Sequence, residues 1–216
     1  MLISMITAVN KTLSFLDLDD NEVKSIVVKE TDLQQRTEFL NKFFLFEEKE
    51  GKIIKFSNNS SWTNQLTDLD ISSCKNLVKF DFYSRPSGSL TNLKLPIEEK
   101  GLAIINVENN QPSDLSIFSH LVNLQTLILR NNKFSGSLEP LRNCVKLRKL
   151  DVVDNNLDTE LEYLSSSIQE FWCNKNDKFD KFLSKSLPTY NVSVKKIVRG
   201  FWNTNDTFYS THELEL

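Results

Sequence analysis

Four segments decide the fold: LAIINVENN (102–110), LQTLILRNN (124–132), LRKLDVVDN (147–155) and IQEFWCNKN (168–176). Each reads apolar-x-x-apolar-x-apolar-x-x-Asn over nine residues, and successive starts lie 22, 23 and 21 residues apart. In an extended strand alternate side chains share a face, so the fourth and sixth positions of each segment point the same way. Stacking such strands about 4.8 Å apart turns those positions into one apolar core. The ninth-position Asn has a separate task. The chain leaves the strand sharply there, and a short amide satisfies backbone groups that burial would otherwise leave unpaired. Asn59, Asn110, Asn132, Asn155 and Asn176 are therefore expected to form a structural ladder.

The register runs back toward the N-terminus. KIIKFSNN (52–59) reads as a strand with Ile54 and Phe56 inward. LTDLDISSC (66–74) and LVKFDFYSR (77–85) follow, and their second anchors, Leu69 and Phe80, stand 11 residues apart, half a repeat. One coil thus holds two extended segments, one per side. Taking Ile54, Phe80, Ile105, Leu127, Leu150 and Phe171 as equivalent gives steps of 26, 25, 22, 23 and 21. This pattern and period are the leucine-rich repeat signature. The expected fold is an α/β solenoid, a right-handed coil with a curved parallel sheet of about six strands. Residues 66–74, 90–98, 115–121, 134–141 and 157–164 supply its short or irregular convex side. Arg85 takes the ninth position of the second coil, which predicts a distorted turn near 84–88.

The expected organisation is an N-terminal cap over 1–50, the solenoid over 51–176 and a C-terminal cap over 177–216, because a terminal coil exposes a strand edge and an open core. Within the first cap, Asp32 is placed to N-cap a helix over 31–44, whose Leu33, Phe39, Leu40, Phe43 and Phe44 fall largely on one face. LSFLDLDDN (13–21) also matches the repeat pattern, and EEKEGK (47–52) reads as a charged turn. Within the second cap, 178–188 suits a short amphipathic helix ended by Pro188, and NVSVKKIV (191–198) a further strand.

With 39% hydrophobic and 25% charged residues, the 216-residue chain has an ordinary globular composition. A formal net charge of -3 gives no global pull toward nucleic acid, and the basic, aromatic KKIVRGFW (195–202) does not outweigh it. No segment approaches the roughly 18 apolar residues that span a bilayer. MLISMITAV (1–9) lacks the basic flank and cleavage site of a signal peptide and is expected to belong to the fold. Cys74, Cys144 and Cys173 show no disulfide or metal spacing; buried thiols in a reducing, cytoplasmic setting fit them better. Asn-x-Ser/Thr triplets begin at Asn10, Asn58, Asn59, Asn191 and Asn205 and would matter only in a secreted chain. His120 and His212 sit in no nucleophile–base or metal-spaced cluster, and LDLDDNE (16–22) lacks the central Gly and terminal Glu of a calcium loop. Neither a cofactor nor an enzymatic activity is expected.

The outward positions of the strands are the candidate site: Tyr83, then Ile104, Asn106 and Glu108, then Ile128 and Arg130, then Lys149, Asp151 and Val153, with Trp172 last. Glu108 faces Arg130 across neighbouring strands, and Lys149 faces Glu170, so lateral ion pairs are expected. Ile104, Ile128, Val153 and Trp172 are apolar yet point outward, and such a run marks an interaction surface; for Trp172 the alternative is a place in the core beneath the C-terminal cap. Six strands and five outward-inward residues per strand give a strip of about 400 Å², half the roughly 800 Å² per partner of a standard interface. The face alone suits a peptide.

LTDLDISSCKNLVKFDF (66–82) and NNKFSGSLEPLRNCVKLRKLDVVDNNLDTELEYLSSSIQEFWC (131–173) carry a further resemblance. FSGSLEPL (134–141) resembles a phrase of plant leucine-rich repeat receptors, and the fuller pattern over about 54–176 resembles the intracellular leucine-rich repeat proteins of arbuscular mycorrhizal fungi. Some of these carry a kinase-like domain, but this chain has neither a Gly-rich loop nor a His-Arg-Asp loop. The resemblance implies a cytoplasmic adaptor that binds a protein or peptide partner. The alternatives are a secreted or surface ligand-binding ectodomain and a regulatory fragment of a kinase-like protein.

Overall fold

The computed structural model describes residues 6–7, 25–27, 44–50, 52–58, 66–72, 74–84, 88–97, 101–158, 163–173, 196–202 and 208–215. Nine strands form one continuous sheet. At one end β3 (Phe44–Lys49) and β4 (Lys52–Asn58) make an antiparallel hairpin. One strand per coil then adds in parallel: β6 (Lys79–Asp81), β8 (Ile104–Asn106), β9 (Thr126–Ile128), β11 (Lys149–Asp151) and β13 (Glu170–Cys173). β14 (Lys196–Trp202) continues the parallel run, and β15 (Phe208–Glu215) pairs antiparallel to it at the far end.

The other side of the coil is less regular. β1 (Ile6–Thr7), β2 (Ser25–Val27), β5 (Asp68–Asp70) and β7 (Asn92–Lys94) form a second parallel sheet. The shorter coils that follow carry 3-10 turns, η1 (Leu115–Phe118) and η2 (Glu139–Leu141), and the small pair β10 (Ser135–Ser137) and β12 (Asn156–Asp158). Coil length explains the change. Steps of 24 and 25 residues leave room for a strand at the back, as β5 and β7 show; steps of 21 to 23 leave room for a tight turn.

Phe56, Phe80, Ile105, Leu127, Leu150 and Phe171 stand opposite one another in register, and all six are fully buried. The equivalent of Phe80 is therefore Phe56 and not Ile54. Period-two alternation points both residues inward, so it does not choose between them. Packing does: the Phe56 ring lies 5.7 Å from Phe80 and 4.6 Å from Phe44. The first coils are cored by phenylalanine, with Phe80 stacked at 6.1 Å on Phe82; Ile105, Leu127 and Leu150 follow, and Phe171 continues the row. Phe118 of η1 meets Phe134 at 5.9 Å behind them.

The main sheet ends in a hairpin on either side. Phe44 to Lys49 form a strand where the sequence pointed to the end of a helix and a charged turn. Phe44 and Phe46 pack on the Phe56 ring while Leu45 between them is exposed, and Glu50 makes the reversal with φ 54°. The sheet is also longer than six strands, since β14 and the two antiparallel strands extend it. Of the expected helix over 31–44 only Phe44 is described, as the first residue of β3; the expected helix over 178–188 and the repeat match over 13–21 lie outside the described residues.

The Asn ladder is present at Asn110, Asn132 and Asn155; Asn59 and Asn176 lie outside the described residues. Asn155 Nδ2 donates to the carbonyls of Leu129 (2.8 Å), Val153 (3.1 Å) and Val152 (3.2 Å). Asn132 Nδ2 is directed at the carbonyls of Val107, Leu129 and Arg130, and its Oδ1 accepts the Asn110 N–H at 3.2 Å. The coil with Arg85 in place of Asn is served by its neighbours. Asn110 Nδ2 reaches back to the Phe82 carbonyl at 3.2 Å, and the Ser84 hydroxyl donates to Asn110 Oδ1 at 3.3 Å. Gly88 completes the join by donating its N–H to the Asn109 carbonyl at 2.7 Å. A Cβ there would run into Asn110 Oδ1 and Ser84 Oγ, so the close approach requires glycine. One coil earlier, Asn58 Nδ2 donates to the Tyr83 carbonyl at 2.6 Å and Asn58 Oδ1 accepts the Tyr83 N–H at 3.2 Å.

Candidate functional site

The outward side chains of the main sheet fall into rows. The first holds Lys55, Lys79, Ile104, Thr126, Lys149 and Glu170; the second holds Ser57, Asp81, Asn106, Ile128, Asp151 and Trp172. A third follows the strands, with Tyr83, Glu108, Arg130 and Val153 at equivalent repeat positions. All ten sequence-predicted site residues lie in these rows.

Their accessibility is uneven. In the third row exposure falls from 41% at Tyr83, through side-chain values of 21% at Glu108 and 18% at Arg130, to none at Val153. Ile104 is exposed, whereas Asn106, Ile128, Lys149 and Trp172 are half-buried. Asp151 is fully buried. The expected apolar run is therefore not one open strip. Ile104 belongs to the first row, Asp151 separates Ile128 from Trp172 in the second, and Val153 is covered. Alternation states which way a side chain points but not what lies over it.

The lateral ion pairs form. Lys149 Nζ lies 3.1 Å from Glu170 Oε2 and 5.6 Å from the centre of the Trp172 ring. Arg130 bridges two strands, with Nε 3.6 Å from Glu108 Oε2 and a guanidinium nitrogen hydrogen-bonded to Asp151 Oδ2. Burial pushes the Asp151 carboxyl above the ordinary Asp range, against the opposing pull of Arg130 and the Val153 N–H, which donates to Oδ1 at 3.3 Å. Removing either partner of this buried pair strands the other charge, so the Arg130–Asp151 contact fixes the face rather than offering it to a partner.

At the other end the face is open. Leu45 is 53% exposed on β3, opposite Ser57, which in turn stands opposite Asp81. With Tyr83 and Ile104 it frames Asp81, whose carboxylate meets Lys79 Nζ at 3.4 Å. Leu45 was hidden from sequence reasoning by the helical reading of its neighbours. The signal was there: Phe-Leu-Phe followed by charged residues alternates as a half-buried strand does.

The chemistry of the remaining residues is quiet. Cys74, Cys144 and Cys173 are buried thiols, and burial pushes the Cys144 thiol up to about 11. His120 Nε2 is 2.9 Å from the Pro96 carbonyl, tying one coil to the next. Among the described residues no group of His, Cys, Asp or Glu is arranged to hold a metal ion, and no helix is long and apolar enough to cross a membrane.

Residues 122–166 match the family model described as Leucine Rich repeats (2 copies). Among solved structures, an internalin C2 from Listeria monocytogenes str. 4b F2365 is similar at 20% identity over 68% of each chain, with a TM-score of 0.32. No curated protein matches the sequence. The matched repeats share their strand register with every coil from β4 to β14, and the chain folds as a leucine-rich repeat solenoid.

Proposed function

We propose that this protein is a non-enzymatic interaction module that recognises a protein or peptide on the concave face of its solenoid, as a cytoplasmic adaptor. One observation carries the reading: on strands whose inward residues are fully buried, Tyr83 and Ile104 stay exposed on the outward side, with Leu45 beside them. A rigid sheet presenting aromatic and aliphatic groups is pre-organised for association, because little conformational freedom is lost on binding. The N-terminal half of the face is the docking region, and the Glu108–Arg130–Asp151 network sets its limit.

The cytoplasmic setting is supported by three buried thiols. The test is affinity capture from native extract with the wild-type chain and a Tyr83→Ser, Ile104→Asp double variant, matched by circular dichroism. The expected result is specific capture by the wild type that the variant loses. Equal capture by both would place the partner elsewhere and overturn the reading.

A further inference from the structure

The turns that enter β9, β11 and β13 stack along one edge of the solenoid, and their charge is one-sided. Residues 119–125, 142–148 and 163–169 hold Arg142, Lys146 and Arg148 but no Asp or Glu, in a chain whose net charge is -3. Arg142 has its own counter-charge, with Nη1 3.3 Å from Glu139 Oε1, and Lys149 beside the turn has Glu170. Among the described residues no carboxylate meets Lys146 or Arg148; Lys146 Nζ donates instead to Asn123 Oδ1 of the preceding coil at 2.6 Å. Both cations are exposed, and Val145 next to them is 57% exposed. The backbone beneath these side chains is tied down. Hydroxyls of Ser165 and Ser167 on the next coil donate to the carbonyls of Val145 at 3.0 Å and Leu147 at 2.6 Å. The Arg148 N–H donates to the Gln125 carbonyl at 2.8 Å. An apolar group and two uncompensated cations thus project from a turn that a ligand need not order.

We infer that this edge binds an acidic segment of a second protein ligand, with carboxylates on Lys146 and Arg148 and an apolar side chain on Val145. The site is separate from the concave face, so a partner docked there leaves Val145 untouched. Charge complementarity sets the sign of the ligand: a guanidinium takes a carboxylate through two parallel N–H donors, and an ammonium holds a second one as a point charge. Scale sets its class. Anionic lipid surfaces are held by clusters of roughly 4–8 Lys and Arg, and a nucleic acid by about 6–10 phosphate contacts. Two cations without a carboxylate fall short of both and match a short acidic peptide. The flanking groups agree with a peptide. Gln125 and Gln169 stand at the position equivalent to Arg148 on the coils to either side, about 4.8 Å away along the sheet. Both are exposed, as is Ser166, and amides and hydroxyls pair with the N–H and C=O groups of an extended chain.

The experiment is titration of the full chain into a fluorescein-labelled peptide that carries one leucine between two pairs of glutamates, read by fluorescence anisotropy. A peptide with glutamine in place of every glutamate and vesicles containing phosphatidylserine run beside it. The expected result is saturable binding of the acidic peptide that weakens as salt is raised, with no binding of the glutamine peptide or the vesicles. A Lys146→Gln, Arg148→Gln double variant with an unchanged thermal transition weakens it by about tenfold or more. Val145→Ser weakens it by about fivefold, and Tyr83→Ser, Ile104→Asp leaves it unchanged. No binding of the acidic peptide, or equal binding to the Lys146→Gln, Arg148→Gln variant, overturns the inference and leaves the concave-face reading standing. So does loss of the peptide on Tyr83→Ser, Ile104→Asp alone, which moves the acidic ligand to the concave face. Vesicle binding that the Lys146→Gln, Arg148→Gln variant loses overturns it in favour of a membrane surface.

Discussion

Asn132 shows how much one side chain holds together. Its amide serves carbonyls from two coils and accepts the N–H of Asn110, the equivalent residue of the preceding coil. Asn132→Ala removes the amide and leaves buried backbone groups of both coils unpaired, at a cost of about 2–4 kcal/mol. Thermal unfolding should show this as a large drop in midpoint, while Asn143→Ala, on an exposed turn, leaves the midpoint unchanged. Equal midpoints for the two variants would remove the ladder from the account. The ninth-position Asn was readable in the sequence because its role follows from the sharp exit of the chain. The eighth position carries Asn or Asp in three of the four segments but passed unread. Asn109, Asn131 and Asp154 all take positive φ, at 58°, 52° and 55°. Asn and Asp tolerate the left-handed region better than other side chains, so their recurrence was a backbone signal.

At the scale of the elements, regular coils were legible and ends were not. From Leu102 to Cys173 the described strands and turns lie where the spacing put them. Toward the N-terminus two patterns compete. Phe39, Leu40, Phe43 and Phe44 fit a helical face, and Phe44 with Phe46 fits a strand; a short apolar run satisfies both periods, and tertiary packing decides. Here the Phe44, Phe46 and Phe56 rings meet across the hairpin. The second coil is the other irregular element. Its turn lacks the ladder residue and depends on the approach of Gly88 to Ser84 and Asn110. Gly88→Ala forces a shift there and costs about 1–3 kcal/mol. A urea titration reads this as a lower midpoint with an unchanged slope; an unchanged midpoint would mean that the join relaxes freely.

For the whole molecule, the main sheet runs from β3 to β15, and among the described residues only part of its outward side is exposed. The sequence pattern identified that side, because period two assigns each outward residue to it. The pattern did not identify the usable part. Asp151 and Val153 point outward by the same rule as Asp81 and Tyr83, yet they are fully buried. Exposure depends on what the rest of the chain places above a strand, and spacing carries no record of that. Leu45 and Asp81 enter the site only once the hairpin is in register beside β6.

Hydroxyl-radical footprinting of the chain with its captured partner, read by mass spectrometry, tests the central claim most directly. Binding to the N-terminal half of the concave face predicts that oxidation of Leu45, Tyr83 and Ile104 falls on complex formation. Ile97 and Val145, exposed away from the outward rows at 75% and 57%, keep their rates. Protection of Ile97 or Val145 with Tyr83 and Ile104 unchanged would contradict it.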